Sequence, residues 1–178
     1  MRGQLHIEVK PRREEGLIDV VKLSALPLMG VYALVITVPS GVEIVAGGLG
    51  KLSFKPGVYV YVGSALKPGL VLKRVLRHLK REKRLRWHVD YLLVHPGVHV
   101  EAVVAAEARR RAECDLAACL LRGGFAVAVA RFGSSDCRCP SHLLKPPASE
   151  VGRVVDAIAN CLLKLGLEAK VAVMRGST

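Results

Sequence analysis

The chain has 178 residues, with 27 Lys and Arg against 15 Asp and Glu, for a formal net charge of +12. Hydrophobic residues make up 51% of it, enough for the packed core of one domain, which excludes a disordered chain of low hydrophobicity and high charge. No apolar run approaches the roughly 20 residues of a membrane helix, and the opening MRGQLHIEVK lacks the apolar core of a secretory leader, so a soluble cytoplasmic protein with no membrane partner is expected.

The surplus of positive charge predicts attraction to polyanions, nucleic acid first among them. One Trp, four Tyr and three Phe leave little material for stacking many bases. The chain holds a single Asn (Asn160) and a single Gln (Gln4), a depletion that points to a thermophilic source. Thermophile cytosol tolerates disulfides, so cysteine pairing stays open.

In chain order, residues 18–28 predict a strand running into a loop. YALVITV (32–38) reads as a strand, Pro39-Ser40-Gly41 as a turn and VEIVA (42–46) as its return strand. KLSF (51–54), a Lys55-Pro56-Gly57 turn and VYVYVG (58–63) predict a second strand pair, completing an antiparallel meander. Lys67-Pro68-Gly69 opens a helix whose apolar stripe is Leu70, Leu72, Val75, Leu76 and Leu79. Its other face is basic, with eight Lys or Arg between Lys73 and Arg86. WHVDYLLV (87–94) has the pattern of a strand, as do residues 98–104 and FAVAVA (125–130). Residues 107–121 and 151–165 predict helices, the first closed by Gly123-Gly124. Residues 168–173 predict a last strand before a disordered tail. Helices interleaved with a mostly antiparallel sheet give an α+β class. The expected organisation is an extension (1–27), a central domain (28–147) and a C-terminal helix and strand (148–178) packed on the same domain.

Chemistry concentrates in two places. Gly30-Val31-Tyr32 and Tyr61-Val62-Gly63 can present two phenols on one sheet face, beside Arg74 and His78, which share a helix face at i,i+4 spacing. An Arg next to paired tyrosines suits a phosphate. The second place is Cys137, Cys139 and His142, set among Ser134, Ser135, Asp136 and Ser141. Three soft ligands in six residues could hold zinc if Cys114 or His88 came fourth. The same residues also fit a disulfide from Cys114 to Cys137 or Cys139, or a polar loop in which Ser135, Asp136 and His142 contact substrate. Cys119 and Cys161 fall on apolar helix faces and read as core. His88 and Asp90 either line the cleft together or form a buried ion pair, and Trp87 reads as a core anchor.

The motifs GVY (30–32), YVG (61–63) and KRVLRH (73–78) resemble those of the GIY-YIG nuclease superfamily. PGVYVYVGSA (56–65), WHVDYLL (87–93), ECDLA (113–117) and FGSSDCRCPSHL (132–143) are similar to the mostly archaeal branch of it built on a domain of unknown function. The resemblance spans about residues 28–145. It implies a small sheet flanked by helices, here with an inserted hairpin and a C-terminal helix. It also implies a metal-dependent endonuclease with a place in DNA repair, hydrolysing phosphodiester bonds with DNA ahead of RNA as partner. Tyr32 would activate water, Tyr61 and Arg74 would bind phosphate, His78 would lie near the attacking group, and Glu113 would hold Mg or Mn. Glu107 is the fallback ligand; an ion pair of Glu113 with Arg109 or Arg110 is the plainer reading. Nucleic acid would contact Lys73, Arg77, Lys80, Arg81, Lys83, Arg84, Ser64, His88, Ser135, Asp136 and His142. The superfamily joins its motif strands by a short connection, whereas here 28 residues separate Tyr32 from Tyr61, and Gly57-Val58-Tyr59 offers a rival first motif. The alternative function is a non-catalytic nucleic-acid-binding module that keeps the fold.

Overall fold

The computed structural model describes residues 19–20 and 22–174. Most of the expected extension and the expected disordered tail lie outside them. Among the described residues, nine strands and four α-helices follow in the order β1 (Asp19–Val20), β2 (Gly30–Val38), β3 (Val42–Val45), β4 (Lys51–Phe54), β5 (Gly57–Ala65), α1 (Leu70–Leu79), α2 (His88–Leu93), β6 (His99–Glu107), α3 (Glu113–Arg122), β7 (Ala126–Val127), β8 (Leu143–Lys145), α4 (Val151–Lys164) and β9 (Ala169–Val173). The class is α+β.

Seven strands form one sheet, in the order β1-β9-β6-β2-β5-β8-β7, antiparallel except for β1 beside β9. β2 lies at its centre and is apolar on both sides. Val31, Ala33 and Val35 face a core built with α3 and α4, while Tyr32, Leu34, Ile36 and Val38 face a second core with α1, α2 and the β3–β4 hairpin. That is the period of two expected of a strand covered on both faces.

Four local expectations are overturned. β3 does not return along β2; it pairs with β4 as a separate two-stranded sheet. β2 pairs instead with β5, Tyr32 opposite Gly63 and Leu34 opposite Tyr61. The meander is therefore a long hairpin with a smaller hairpin inserted at its tip. Residues 87–94 form helix α2 rather than a strand, because Asp90 at its third position accepts the amides of Arg86 (2.8 Å) and Trp87 (3.0 Å) at its start. Residues 107–112 are the end of β6 and a turn, so α3 begins only at Glu113. FAVAVA keeps just two strand residues, Ala126 and Val127.

The basic run is a fifth correction. α1 ends at Leu79, and residues 80–86 fold back as caps instead of extending a basic helix face. Lys83 Nζ donates to the His78 carbonyl (2.7 Å) at the end of α1. Arg81 donates to the carbonyls of Leu93, His95 and Val98 (2.9, 2.6 and 2.7 Å) at the end of α2. Helix C-termini leave carbonyls without partners, and cationic side chains satisfy them.

A disulfide joins Cys119 of α3 to Cys161 of α4 inside the first core. The pairing of Cys114 with Cys137 or Cys139 is not formed; those three cysteines are free thiols.

Candidate functional site

Two motif glycines shape the site. Gly30 has φ +147°, and a Cβ there would lie 2.0 Å from the Ala106 carbonyl oxygen, so β2 can enter beside β6 only as glycine. At Gly63 a Cβ would stand 2.7 Å from the Tyr32 ring, which lies across that position. The spacing of the YVG motif thus clears the space in which the Tyr32 phenol sits.

Tyr32, Tyr61, Ser64, Arg74, His88, Glu113, Ser135, Asp136 and His142 all line one cleft of about 330 Å³. His78 is buried behind it, with Nε2 2.9 Å from the Tyr32 hydroxyl. Tyr59 is elsewhere: its hydroxyl donates to the Lys55 carbonyl and the Lys145 ammonium lies 4.1 Å over its ring. Of the rival first motifs, the structure brings only Tyr32 to this site. Glu107, the fallback ligand, is exposed and lines a different depression with Arg109 and Lys170.

Burial drives the titrations on the tyrosine side. It pushes the phenols of Tyr32 and Tyr61 well above their ordinary value, with Arg74 pulling both partly back. It also lowers the pKa of His78, against the pull of Asp90. A neutral His78 accepts from the Tyr32 hydroxyl at Nε2 and carries its proton on Nδ1, 3.8 Å from Asp90 Oδ1. Burial would raise Asp90 as well. His78, both Arg77 nitrogens (2.9 and 2.7 Å) and the two amides instead hold its carboxyl far below the carboxylate range. Asp90 is thus the buried partner of an ion pair, and it is His88 alone of the two that reaches the cleft. Trp87 lines the cleft too, its ring covered by the guanidiniums of Arg77 (4.4 Å) and Arg74 (5.4 Å). Arg74 also donates to the Ser64 carbonyl.

The opposite wall carries the carboxylates. Arg111 Nε donates to Glu113 Oε1 (2.8 Å) and its terminal nitrogen to Asp136 Oδ2 (3.1 Å). The expected partners Arg109 and Arg110 are not used; Arg110 pairs with Asp115. Glu113 is 3% exposed and its Oε2 has no partner. Burial opposes its ionisation, but the Ser64 hydroxyl, its own backbone and Arg111 hold it below the usual range. A buried, ionised carboxylate with one free oxygen suits a hard cation that keeps several waters, so Glu113 fits Mg or Mn. His88 Nδ1 accepts the Gly133 amide (3.0 Å), which leaves the proton of the neutral ring on Nε2 as a donor and removes His88 from the soft cluster. Beyond this wall, Cys114, Cys137, Cys139 and His142 gather their ligand atoms within 4.8 Å of one another.

The expected nucleic-acid contacts divide. Lys73, Lys80 and Arg84 are exposed. Arg77, Arg81 and Lys83 are spent on Asp90 and on helix carbonyls. Arg86, at the end of the basic run, also lines the cleft, and so does Arg111, which sequence reasoning missed. Arg111 sits two residues before Glu113 at a helix start, a signal hidden among three consecutive arginines.

The fold and site define an α+β protein with a cleft that is cationic and phenolic on one wall and anionic on the other. The chain belongs to the family described as Domain of unknown function DUF123, which matches residues 31–166. Neither a curated protein nor a solved structure matches it. Among the described residues, no helix is long and apolar enough to cross a membrane.

Proposed function

We propose that this chain is a metal-dependent endonuclease of GIY-YIG type, acting in the cytoplasm on nucleic-acid phosphodiester bonds, DNA before RNA. The observation that carries the reading is the Tyr32 hydroxyl, 2.9 Å from His78 Nε2, at the floor of a cleft that also holds Arg74 and Glu113. A phenol raised by burial is a poor base by itself; it needs cations beside it and an acceptor behind it. Here Arg74 is the cation and neutral His78 the acceptor.

As water attacks phosphorus, its proton passes to the Tyr32 oxygen and the phenol's own proton passes to His78 Nε2. The imidazolium so formed faces the ionised Asp90. Arg74 and the neutral Tyr61 phenol hold the non-bridging phosphate oxygens, where charge accumulates. The bond from phosphorus to the leaving oxygen then breaks. Glu113, with its free Oε2, would hold Mg or Mn, and that ion supplies charge neutralisation at the leaving oxygen. Exposed Lys73, Lys80 and Arg84 lie on the α1 side and would bind the flanking backbone without reading bases.

The test is cleavage of labelled duplex, single-stranded, flapped and abasic DNA and of a structured RNA, each with magnesium, manganese or EDTA. Cleavage should need the metal. Tyr32→Phe, which keeps the ring over Gly63, should lose at least about 100-fold in rate while retaining binding, the scale of a positioned acid–base group. Binding without cleavage by the wild type under every condition would transfer the assignment to the non-catalytic binding module. Cleavage unchanged in both Tyr32→Phe and Arg74→Ala would place the activity elsewhere.

A further inference from the structure

We infer that Cys114, Cys137, Cys139 and His142 form a closed structural zinc site that pins the 131–142 segment to the first turn of α3. A tetrahedral zinc at about 2.3 Å from sulfur and about 2.0–2.1 Å from imidazole nitrogen spaces its ligand atoms roughly 3.6–3.8 Å apart. His142 Nε2 lies 3.6 Å from Cys137 Sγ and 3.8 Å from Cys114 Sγ, and the four ligand atoms fit within 4.8 Å. No two of the three thiols are joined, although the chain does form a disulfide at Cys119–Cys161. Three sulfurs and one imidazole suit a soft or borderline ion and exclude magnesium, manganese and calcium, which take oxygen.

The site's position argues for a structural role. Four protein ligands fill a tetrahedron, leaving no place for water or substrate. Cys114 follows Glu113, and Cys137 follows Asp136, so two ligands are the chain neighbours of the carboxylates that Arg111 bridges. His142 supplies its ring to the cluster and also lines the cleft. The segment needs such a staple: residues 131–142 contain no helix or strand, and Phe132 is their one fully buried apolar side chain, beside polar Ser134, Ser141 and His142. A bound ion therefore fixes one wall of the cleft without touching the reacting atoms. It is distinct in chemistry from the oxygen site at Glu113.

The test is elemental analysis of the full chain, expressed without a histidine tag in medium containing zinc, iron and copper, then dialysed against EDTA. One zinc per chain is expected. Cys114→Ser and Cys139→Ser should emerge from the same dialysis empty, whereas Cys119→Ser should retain its zinc. As those variants could fail to fold, the wild-type protein is also stripped and reloaded with cobalt(II). A four-coordinate thiolate site gives intense near-ultraviolet charge-transfer and visible bands that zinc abolishes. Protein free of metal, protein loaded with iron or copper, zinc retained without Cys114, or weak octahedral cobalt bands would each overturn the inference. The metal count involves no cleavage assay, so it fails or stands separately from the nuclease reading.

Discussion

Replacing Asp90 by Ala should be the most damaging single change on the α1–α2 side of the cleft. The carboxylate is 0% exposed and accepts four hydrogen bonds, two from Arg77 and two from the amides of Arg86 and Trp87. Removing one partner of a buried ion pair typically costs about 3–5 kcal/mol because the other charge is stranded. Arg77 is 22% exposed in its side chain, so it can turn partly to water, which favours the lower end. The lost helix-start bonds add about 1 kcal/mol. The sum is about 4 kcal/mol, or roughly 8–16 °C in Tm for a chain of this size. Urea unfolding at pH 7 reads it as a fall in midpoint at unchanged slope. Arg77→Ala and the double variant close a cycle, with a coupling energy of about 2 kcal/mol expected for residues in direct contact. A loss below about 1 kcal/mol, or additive single variants, would refute the claim that Asp90 organises this wall.

The Cys119–Cys161 disulfide closes a loop of sequence separation 42, which the chain-entropy relation values at about 4 kcal/mol. Cys119→Ser should therefore lower the urea midpoint substantially, and dithiothreitol should lower the wild type to the same level; equal stability with and without reductant would show the bond does not form in solution. Acid should destabilise the fold in two stages. His78 has a folded pKa below its unfolded value of about 6.5, so the unfolded chain binds the extra proton and stability falls as pH drops from 7 to 5. Asp90 is depressed in the folded state, so its contribution is present above the unfolded value of about 3.9 and is lost as pH falls below it. His78→Asn should flatten the pH 5–7 stage of the urea midpoint; parallel profiles for variant and wild type would assign that stage to another group.

The apolar period of β2, the helix stripe of α1 and the paired Gly/Tyr motifs were legible because each is written within about ten residues. In the structure Tyr32, Tyr61, Arg74 and Glu113 line one cleft. What failed was long-range or ambiguous. VEIVA and KLSF are equally good strands whether they pair with the flanking strands or with each other, and only the length of β2 and β5 decides it. WHVDYLLV is a short apolar run whose period does not distinguish strand from helix. Its helical state depends on Asp90 anchoring the start, while its end is capped by Arg81 from a separate segment. The basic run reads as a solvated face until the carbonyls it caps are known. Cysteine pairing was illegible for the same reason: α3 and α4 had to be packed before Cys119 could find Cys161.

The two walls of the cleft are secured by different means, and this bears on how the protein can fail. The phenols stand on the central strands and cannot move without disturbing both cores. The α1–α2 wall, with Arg74 and Trp87, depends on the charge hub at Asp90, so it is vulnerable to acid and to loss of a single carboxylate. The Glu113–Asp136 wall has no comparable hub. Arg111 bridges its two carboxylates, and of its two ion pairs the one to Asp136 is exposed on both sides, a kind that contributes at most about 1 kcal/mol. Residues 131–142 are tied down by backbone bonds such as His142 N–H to the Phe132 carbonyl (2.8 Å) and by the Gly133 amide on His88, and the proposed zinc site would add a cross-link from Cys137, Cys139 and His142 to Cys114 of α3. Acid and thiol-directed reagents should therefore disable the same cleft from opposite sides.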